Sequence, residues 1–501
     1  MKIKHIILGS LLISFTPSLF SHGFSTQTSS IAPEAKPKQP NILFIVSEDN
    51  GPELGCYGAP VKTPNLDQLA AEGIRFQKAY VAQAGCSPSR AAFLTGLYPH
   101  QNGQIALATW NYSMYNEHTP NLVNDLKKSG YITGNIGKIH VNPESAFDFD
   151  LWVLRGGNFK RKNMGDYADS AYHFLTSSDK PFYLQVNYPD AHDPFLPQVN
   201  GMPAEVLTGK DVEPLPYFGV TSDSLRQKTA DYYNCIMRLD ELIGHLLEKL
   251  KKSGKYENTM IVYIGDHGAD MLRGKRTCYE GGVNIPMIIS WPNHGKKGLV
   301  SWELVSTIDL YPTFMDISGN KIPSYITGKS LVPLIKGEAV HHRDYLFTEY
   351  HTHSNHNPYP QRSVRDERYK LIHNLVPGHE NPGYYYTIGK KINPDDFNNA
   401  VEKAPEAVQL AYENMKMPLE FELYDLKSDP NEWNNLAGKK EYVEVFLRLK
   451  KVLRTWQEET TDPMIDPELA KRFYFDVVNS DLKKKKPIPY HEYLDPKLNF
   501  K

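Results

Sequence analysis

Much is missing from this sequence, and each absence removes a class of protein. The 56 lysines and arginines are balanced by 58 aspartates and glutamates, a net charge of −2, so no global excess advertises an anionic polymer such as a nucleic acid as partner. Any attraction for an anion has to be local. Long apolar runs are also missing. Ile6–Phe15 is too short to span a bilayer comfortably and no later run is adequate, so no membrane span is expected. There is no solenoid repeat. Cysteines number only four, at 56, 86, 235 and 278, although an even count in an exported chain invites a disulfide reading.

What is present is the composition of a globular protein, 40% hydrophobic and 23% charged over 501 residues, long enough for more than one domain. Lys2 and Lys4 precede the short apolar run, and Ser21–Ser25 offers small residues, so residues 1–25 read as a signal peptide. The expected localisation is export to a bacterial periplasm, with no cysteine placed for a lipid anchor. Residues 26–40, rich in Ser, Thr, Pro and Lys, read as a flexible leader.

From residue 41 the pattern alternates. Asn41–Val46 (NILFIV) is apolar throughout, as in a strand buried on both faces. Thr63-Pro64-Asn65-Leu66 through Gly73 reads as a helix capped by Thr63, with Pro64 at its first position and Gly73 as its stop. The same grammar recurs from Thr119 to Gly130. Further strands are expected at 74–80, 131–136, 182–187, 260–264 and 286–290, and an amphipathic helix over 224–252. This order predicts an α/β fold built on a doubly wound, mainly parallel sheet. After about residue 346 loops rich in His, Tyr and Pro surround short strands at 369–373 and 421–426 and a helix near 443–456, a second and smaller domain. Lys483–Lys486 reads first as a solvated surface segment and second as a steering patch for substrate.

The stretch Ala84-Gly85-Cys86-Ser87-Pro88-Ser89-Arg90-Ala91-Ala92-Phe93-Leu94-Thr95-Gly96 sets a cysteine just ahead of a helix-forming run. A helix N-terminus offers unpaired N–H groups and the positive end of the dipole, a place for an anion, and Arg90 adds forked donors. Glu48 and Asp49 follow the first strand, and Asp266 and His267 follow the strand at 260–264. Carboxylates so placed suit a hard divalent cation at the carboxyl edge of a parallel sheet. Lys138 and His140 follow the strand at 131–136, His192 follows that at 182–187, and Lys275 stands in Gly274-Lys275 ahead of Tyr279-Glu280-Gly281-Gly282. Singly each is more often a solvated loop residue.

Cys86-x-Pro88-x-Arg90 followed by Leu94-Thr95-Gly96 resembles the signature of the type I sulfatases, and the Gly137-Lys138-Ile139-His140 and GK…YEGG segments are similar to that family's. The resemblance implies an alkaline-phosphatase-like α/β fold with a small C-terminal domain. It also implies oxidation of Cys86 to Cα-formylglycine by a maturation enzyme; in the aldehyde hydrate, one hydroxyl attacks sulfur and the other permits release. With Cys86 modified three cysteines remain, and no essential disulfide is expected. The implied roles are sulfate binding by Arg90, Lys138 and Lys275, orientation of the hydrate by His140, and proton donation by His192. The implied cofactor is one Ca²⁺ held by Glu48, Asp49, Asp266 and His267, with position 86 reaching the ion. Two of these depart from the family pattern, Glu48 for Asp and His267 for Asn, and His267 either coordinates or points at the sulfate.

Within the family, several segments resemble the N-sulfoglucosamine sulfohydrolase branch: His100-Gln101-Asn102-Gly103, Tyr359–Asn374 and Trp456–Pro463. The resemblance implies hydrolysis of the N-sulfate of glucosamine at the non-reducing end of heparin or heparan fragments, with Arg362 and His353 as sugar contacts. The histidines His341, His342, His351, His353 and His356 lack the compact spacing of a second metal site. The alternatives are a 6-O-sulfatase, a phosphoester hydrolase of the same superfold, and a glycan-binding protein with a dead site.

Overall fold

The structure is a computed structural model that describes residues 12–16 and 39–500. Residues 12–16 are exposed and carry no helix or strand. Apart from these and residues 39 and 40, the expected signal peptide and leader lie outside the described residues.

Eight strands form the main sheet: β1 (Asn41–Ser47), β2 (Ile74–Tyr80), β3 (Ile132–Gly137), β4 (Leu151–Val153), β5 (Phe182–Tyr188), β6 (Thr259–Gly265), β7 (Asn284–Ser290) and β8 (Leu299–Ser306). Their spatial order is β4-β3-β5-β1-β6-β7-β2-β8, and β7 alone runs against its neighbours. The apolar run in β1 has a direct cause. Leu43 and Ile45 point into one core while Ile42, Phe44 and Val46 point into the other, so neither face tolerates polar alternation. The first core is closed by the helix Asp223–Lys252, which Ser222 caps by accepting from the Leu225 amide. The second is closed by Cys86–Thr95, Leu122–Lys128 and Leu310–Ile317. Phe93 of the Cys86 helix stacks edge-on with Phe44 of β1, ring centroids 5.2 Å apart, which fixes that helix to the centre of the sheet.

Two local expectations are corrected. Thr63 does not cap its helix, because its hydroxyl is spent on Asp67, 2.9 Å away. In the repeat of the pattern the cap is Asn121 rather than Thr119; its side chain accepts from Asn124 N–H and the helix starts only at Leu122. Gly73 matters for space rather than for a left-handed stop: a Cβ there would lie 2.3 Å from the Ile289 carbonyl oxygen of β7.

A second sheet, β9 (Leu346–Tyr350), β10 (Gln361–Arg365), β11 (Tyr369–Asn374) and β12 (Phe421–Asp425), is antiparallel in the order β12-β11-β10-β9. The helix Val443–Glu459 covers it with Leu449, Leu453 and Trp456 against Val364, Leu371 and Leu423.

This sheet overturns the role expected for Arg362. It is fully buried on β10, and each nitrogen is engaged: Nε and Nη2 each reach Asp462 at 2.8 Å, Nη2 meets His351 Nε2 at 3.1 Å, and Nη1 donates to the Gln361 carbonyl at 2.9 Å. A guanidinium with all three nitrogens engaged by protein and no exposed surface is closed to a sugar; it ties β10 to the segment after the helix Val443–Glu459. Burial alone would raise the Asp462 carboxyl, but Arg362 and His100 outweigh it and hold it well below the carboxylate range. A depressed carboxyl contributes stability that is complete above its unfolded value of about 3.9 and is lost as pH falls through the folded value. Asp462→Asn should therefore lower the unfolding free energy by about 3 kcal/mol at neutral pH and flatten its decline on acidification, read by denaturant titration at several pH values. An unchanged midpoint would show the pair to be dispensable.

Candidate active site

The carboxyl ends of β1, β3, β5 and β6 open on one edge, and each delivers polar residues there: Glu48 and Asp49, Lys138 and His140, His192, and Asp266 and His267. The loop before β7 adds Lys275, and the helix Cys86–Thr95 points its first residue at the same spot. Gly85 carries no side chain to cap that helix, and a Cβ on it would sit 3.2 Å from His353 Nδ1. Gly265 allows the last approach, since a Cβ there would be 1.9 Å from the Asn50 carbonyl oxygen. Asp49 (φ 52°) and His140 (φ 60°) both adopt left-handed backbone, a strain common where side chains must be aimed.

Cys86 Sγ lies 3.3 Å from Lys275 Nζ, 3.3 Å from His267 Nε2 and 3.9 Å from Asp49 Oδ1. Lys275 donates to both oxygens of Asp49, at 2.9 and 3.0 Å. Lys138 donates to Glu48 at 2.8 Å, and Arg90 Nε donates to Asp266 at 3.0 Å. Arg90 also donates to Asn187 Oδ1 at 2.7 Å and to the Lys138 carbonyl at 3.0 Å, which joins the motif helix to β3 and β5. His267 Nε2 stands 3.2 Å from Asp49 and 3.5 Å from Asp266, so it is among the carboxylates rather than turned away. His192 stacks on Phe159, centroids 4.1 Å apart. Asp190, two residues before it, is clamped by Arg161 and Arg238 at 2.8 and 2.7 Å, which anchors the loop.

Burial governs the protonation of the site. It pushes the Cys86 thiol up to about 12 against the pull of Lys275 and Lys138, so the unmodified side chain is a thiol rather than a nucleophilic thiolate at neutral pH. Burial lowers His140 and His353 well below ordinary imidazole, and lowers His192 and His267 as well. Asp49, which burial alone would raise, is held low by Lys275, His192 and His267.

These side chains floor a cavity of about 420 Å³ whose lining includes Cys86, Lys138, His140, His192, Lys275 and His353. Several buried polar atoms of these residues make no hydrogen bond: Arg90 Nη2, which has only Glu48 at 3.8 Å, both ring nitrogens of His140 and His353 Nδ1. Native interiors rarely leave so many donors and acceptors unpaired, and a ligand that brings both acceptor oxygens and hydroxyl donors satisfies them. Candidate cation ligands also meet here, in two overlapping groups: Glu48, Asp49, Cys86 and His192, and Cys86, Asp266 and His267. Three carboxylates fit a hard divalent cation, with the imidazole as the softer exception.

Among the residues given a catalytic, metal or sugar-binding role in the sequence, Arg362 alone lies apart from this site, and of the histidine cluster His341, His342 and His351 lie outside the cavity lining. Others went unnoticed. Asp270, Arg276, Tyr386 and Lys391 line the wall; Arg276 and Lys391 both pair with Asp270, and Lys391 also reaches Asp193 at 3.1 Å. Arg276 stands next to Lys275 and could have been suspected. Tyr386 and Lys391 arrive on the helix Pro382–Lys391, from a stretch with no recognisable motif. Asn187, the last-but-one residue of β5, holds Arg90 but reads in sequence only as strand.

All four cysteines are free thiols. No helix among the described residues is long and apolar enough to cross a membrane.

Comparison with known proteins agrees with this geometry. The sulfatase family matches residues 40–320, and the family described as N-sulphoglucosamine sulphohydrolase, C-terminal, matches residues 265–419. Human N-sulphoglucosamine sulphohydrolase is 30% identical over 86% of this chain and 92% of its own length. An ulvan-active sulfatase of Formosa agariphila is 30% identical over 88% of this chain and 86% of its own. A solved structure of a protein with its substrate D-glucosamine-2-N,6-O-disulfate has the same fold, with a TM-score of 0.65 at 24% identity, covering 86% of this chain and 99% of that one. A catalytic cavity floored by Cys86, a carboxylate cluster beyond the central strands and a family match over more than half the sequence place the chain in the sulfatase family, as a hydrolase of sulfuric esters.

Proposed function

We propose that the protein removes the N-sulfate from glucosamine at the non-reducing end of heparin or heparan sulfate fragments. The reading is carried by the match of residues 265–419 to the C-terminal family of N-sulphoglucosamine sulphohydrolase, because that stretch supplies Lys275, His353 and the cavity wall as well as β9 to β11. A cavity of about 420 Å³ suits one terminal sugar better than the middle of a polymer.

Cys86 is the residue converted to formylglycine, and once hydrated that group supplies the attacking hydroxyl. A divalent cation, for which Ca²⁺ is the proposed identity, would be held by Glu48, Asp49, Asp266 and His267 and would neutralise charge on the sulfate oxygens. The remaining work belongs to this chain's own side chains. Lys275 and Lys138 bring ammonium groups to the sulfate oxygens, and Arg90 offers its Nη2, which makes no hydrogen bond, from a position fixed by Asp266 and Asn187. His140 has two unpartnered ring nitrogens with which to orient the nucleophile. His192, braced against Phe159, is the proposed proton donor to the departing nitrogen; burial lowers its pKa, and the charges of Asp49 and Glu48 work against that to favour the cationic form that donates.

Three outcomes are expected. Formylglycine-loaded protein with Ca²⁺ should release sulfate from glucosamine carrying only an N-sulfate and not from glucosamine carrying only a 6-O-sulfate; the reverse pattern would make it a 6-O-sulfatase. Lys138→Ala should lower kcat about 100-fold or more, with a smaller change in KM, in steady-state assays of sulfate release. Chelation should abolish turnover and lower the thermal midpoint, and Ca²⁺ should restore both. Because removing the ion leaves the carboxylates to Lys275, Lys138 and Arg90, the fold itself should survive chelation, as judged by circular dichroism.

A further inference from the structure

The lysine run 483–486 lies far from the site in sequence, yet it is moored beside the cavity. The Lys485 carbonyl accepts from Asn111 Nδ2 at 2.8 Å, and the Lys486 carbonyl accepts from Asn355 Nδ2 at 2.9 Å. Asn111 follows Thr109 and Trp110, and Asn355 sits between Ser354 and His356, four residues that line the cavity. Lys485 Nζ stands 5.9 Å from the centre of the Trp110 ring, and Trp110 meets His356 edge-on at 4.8 Å. The moorings are themselves fixed, since Asn355 Oδ1 accepts from Tyr112 at 2.8 Å and its amide donates to Ser480 at 2.9 Å.

All four lysines are exposed. Lys484 pairs with Asp481 at 3.2 Å, whereas Lys483, Lys485 and Lys486 form no ion pair among the described residues. A second cation, Arg155, lies 4.1 Å over Trp152, another lining residue. Glu144 is a carboxylate on the same lining, and Asp270 is already neutralised by Arg276 and Lys391. The mouth therefore carries unpaired positive charge beside an aromatic face, although the molecule as a whole is at −2.

We propose that Lys483, Lys485 and Lys486, with the Trp110 face, form a rim subsite for the sugar units that follow the one being cleaved, and that the preferred substrate is an anionic oligosaccharide rather than a monosaccharide. This rests on the reading of the substrate as a sulfated glycan. A chain whose terminal sulfate reaches Cys86 has to leave through the mouth, and its next sulfates or carboxylates then pass within reach of these ammonium groups. Exposed pairs of this kind are individually weak and screened beyond about 8 Å at physiological salt, so the effect comes from several acting together. An aromatic face adds apolar contact with a sugar ring without demanding one sequence of sulfation.

The test compares the parent protein with Lys483→Gln/Lys485→Gln/Lys486→Gln, using glucosamine N-sulfate and a heparin-derived tetrasaccharide with an N-sulfated non-reducing end. For formylglycine-loaded enzyme, the preference for tetrasaccharide over monosaccharide in kcat/KM should fall about fivefold in the triple variant, and its dependence on salt should weaken. A Lys→Arg triple should keep both. Binding is measured separately by calorimetry on Cys86→Ala backgrounds, which cannot turn over: the tetrasaccharide Kd should weaken about fivefold with the glutamines. Lysine-dependent binding without any sulfate release would sink the N-sulfate reading and leave the rim standing. Equal preference and equal Kd in the triple variant, or no measurable binding to the parent, would overturn the rim.

Discussion

Three buried carboxylates are held against three buried cations at the carboxyl edge of the sheet: Asp49 with Lys275, Glu48 with Lys138, and Asp266 with Arg90. None of these groups could be buried alone, because removing one partner leaves an uncompensated charge that costs about 3–5 kcal/mol. The rest of the architecture serves to make this pairing possible. The acids come from β1 and β6, adjacent at the centre of the sheet, and the cations come from the motif helix, the loop after β3 and the loop before β7. The same charges that balance one another are those that a cation and a sulfate ester would divide between them.

That arrangement explains why Cys86 is so enclosed. Cys86 is 2% exposed, fixed by the Phe93–Phe44 contact behind it and by Lys275 and His267 in front. Burial pushes the thiol up to about 12, so the unmodified side chain stays protonated at neutral pH, and the nucleophile proposed here would come from its modification. The second sheet contributes differently. Glu349, Arg362, His351 and Asp462 form a buried polar knot, and the chain emerging from β9 then places His353 on the cavity wall. Arg362 thus acts through structure, not by touching sugar.

The sequence was most informative where one residue type has one use. Apolar runs of β1, β5 and β6 could only be strands buried on both faces, and each polar pair after them had to fall on the same edge of a parallel sheet. Capping was less legible. Thr63 and Asn121 are both good caps in isolation, and the choice between cap and side-chain partner depended on Asp67 and on where the helix could start without disturbing Ala146, whose carbonyl accepts from Asn121 Nδ2. The strands β4, β9 and β10 are short, and β8 mixes exposed and buried positions, so none of the four declares itself in the sequence.

By itself the sequence determined the α/β class, the strand ends that carry the acids, and the cysteine motif at a helix start, because each follows from local pattern and chain order. Only the tertiary structure decided what distant segments do to one another. It turned Arg362 inward to Asp462, since β10 buries the guanidinium and the loop after the Val443–Glu459 helix brings a carboxylate to it. It brought Arg276, Tyr386 and Lys391 to the cavity wall and moored residues 485 and 486 beside Trp110. Such contacts join residues tens to hundreds of positions apart, and side-chain charge alone cannot say whether an arginine will meet a buried acid or a ligand until packing has fixed which of the two is near.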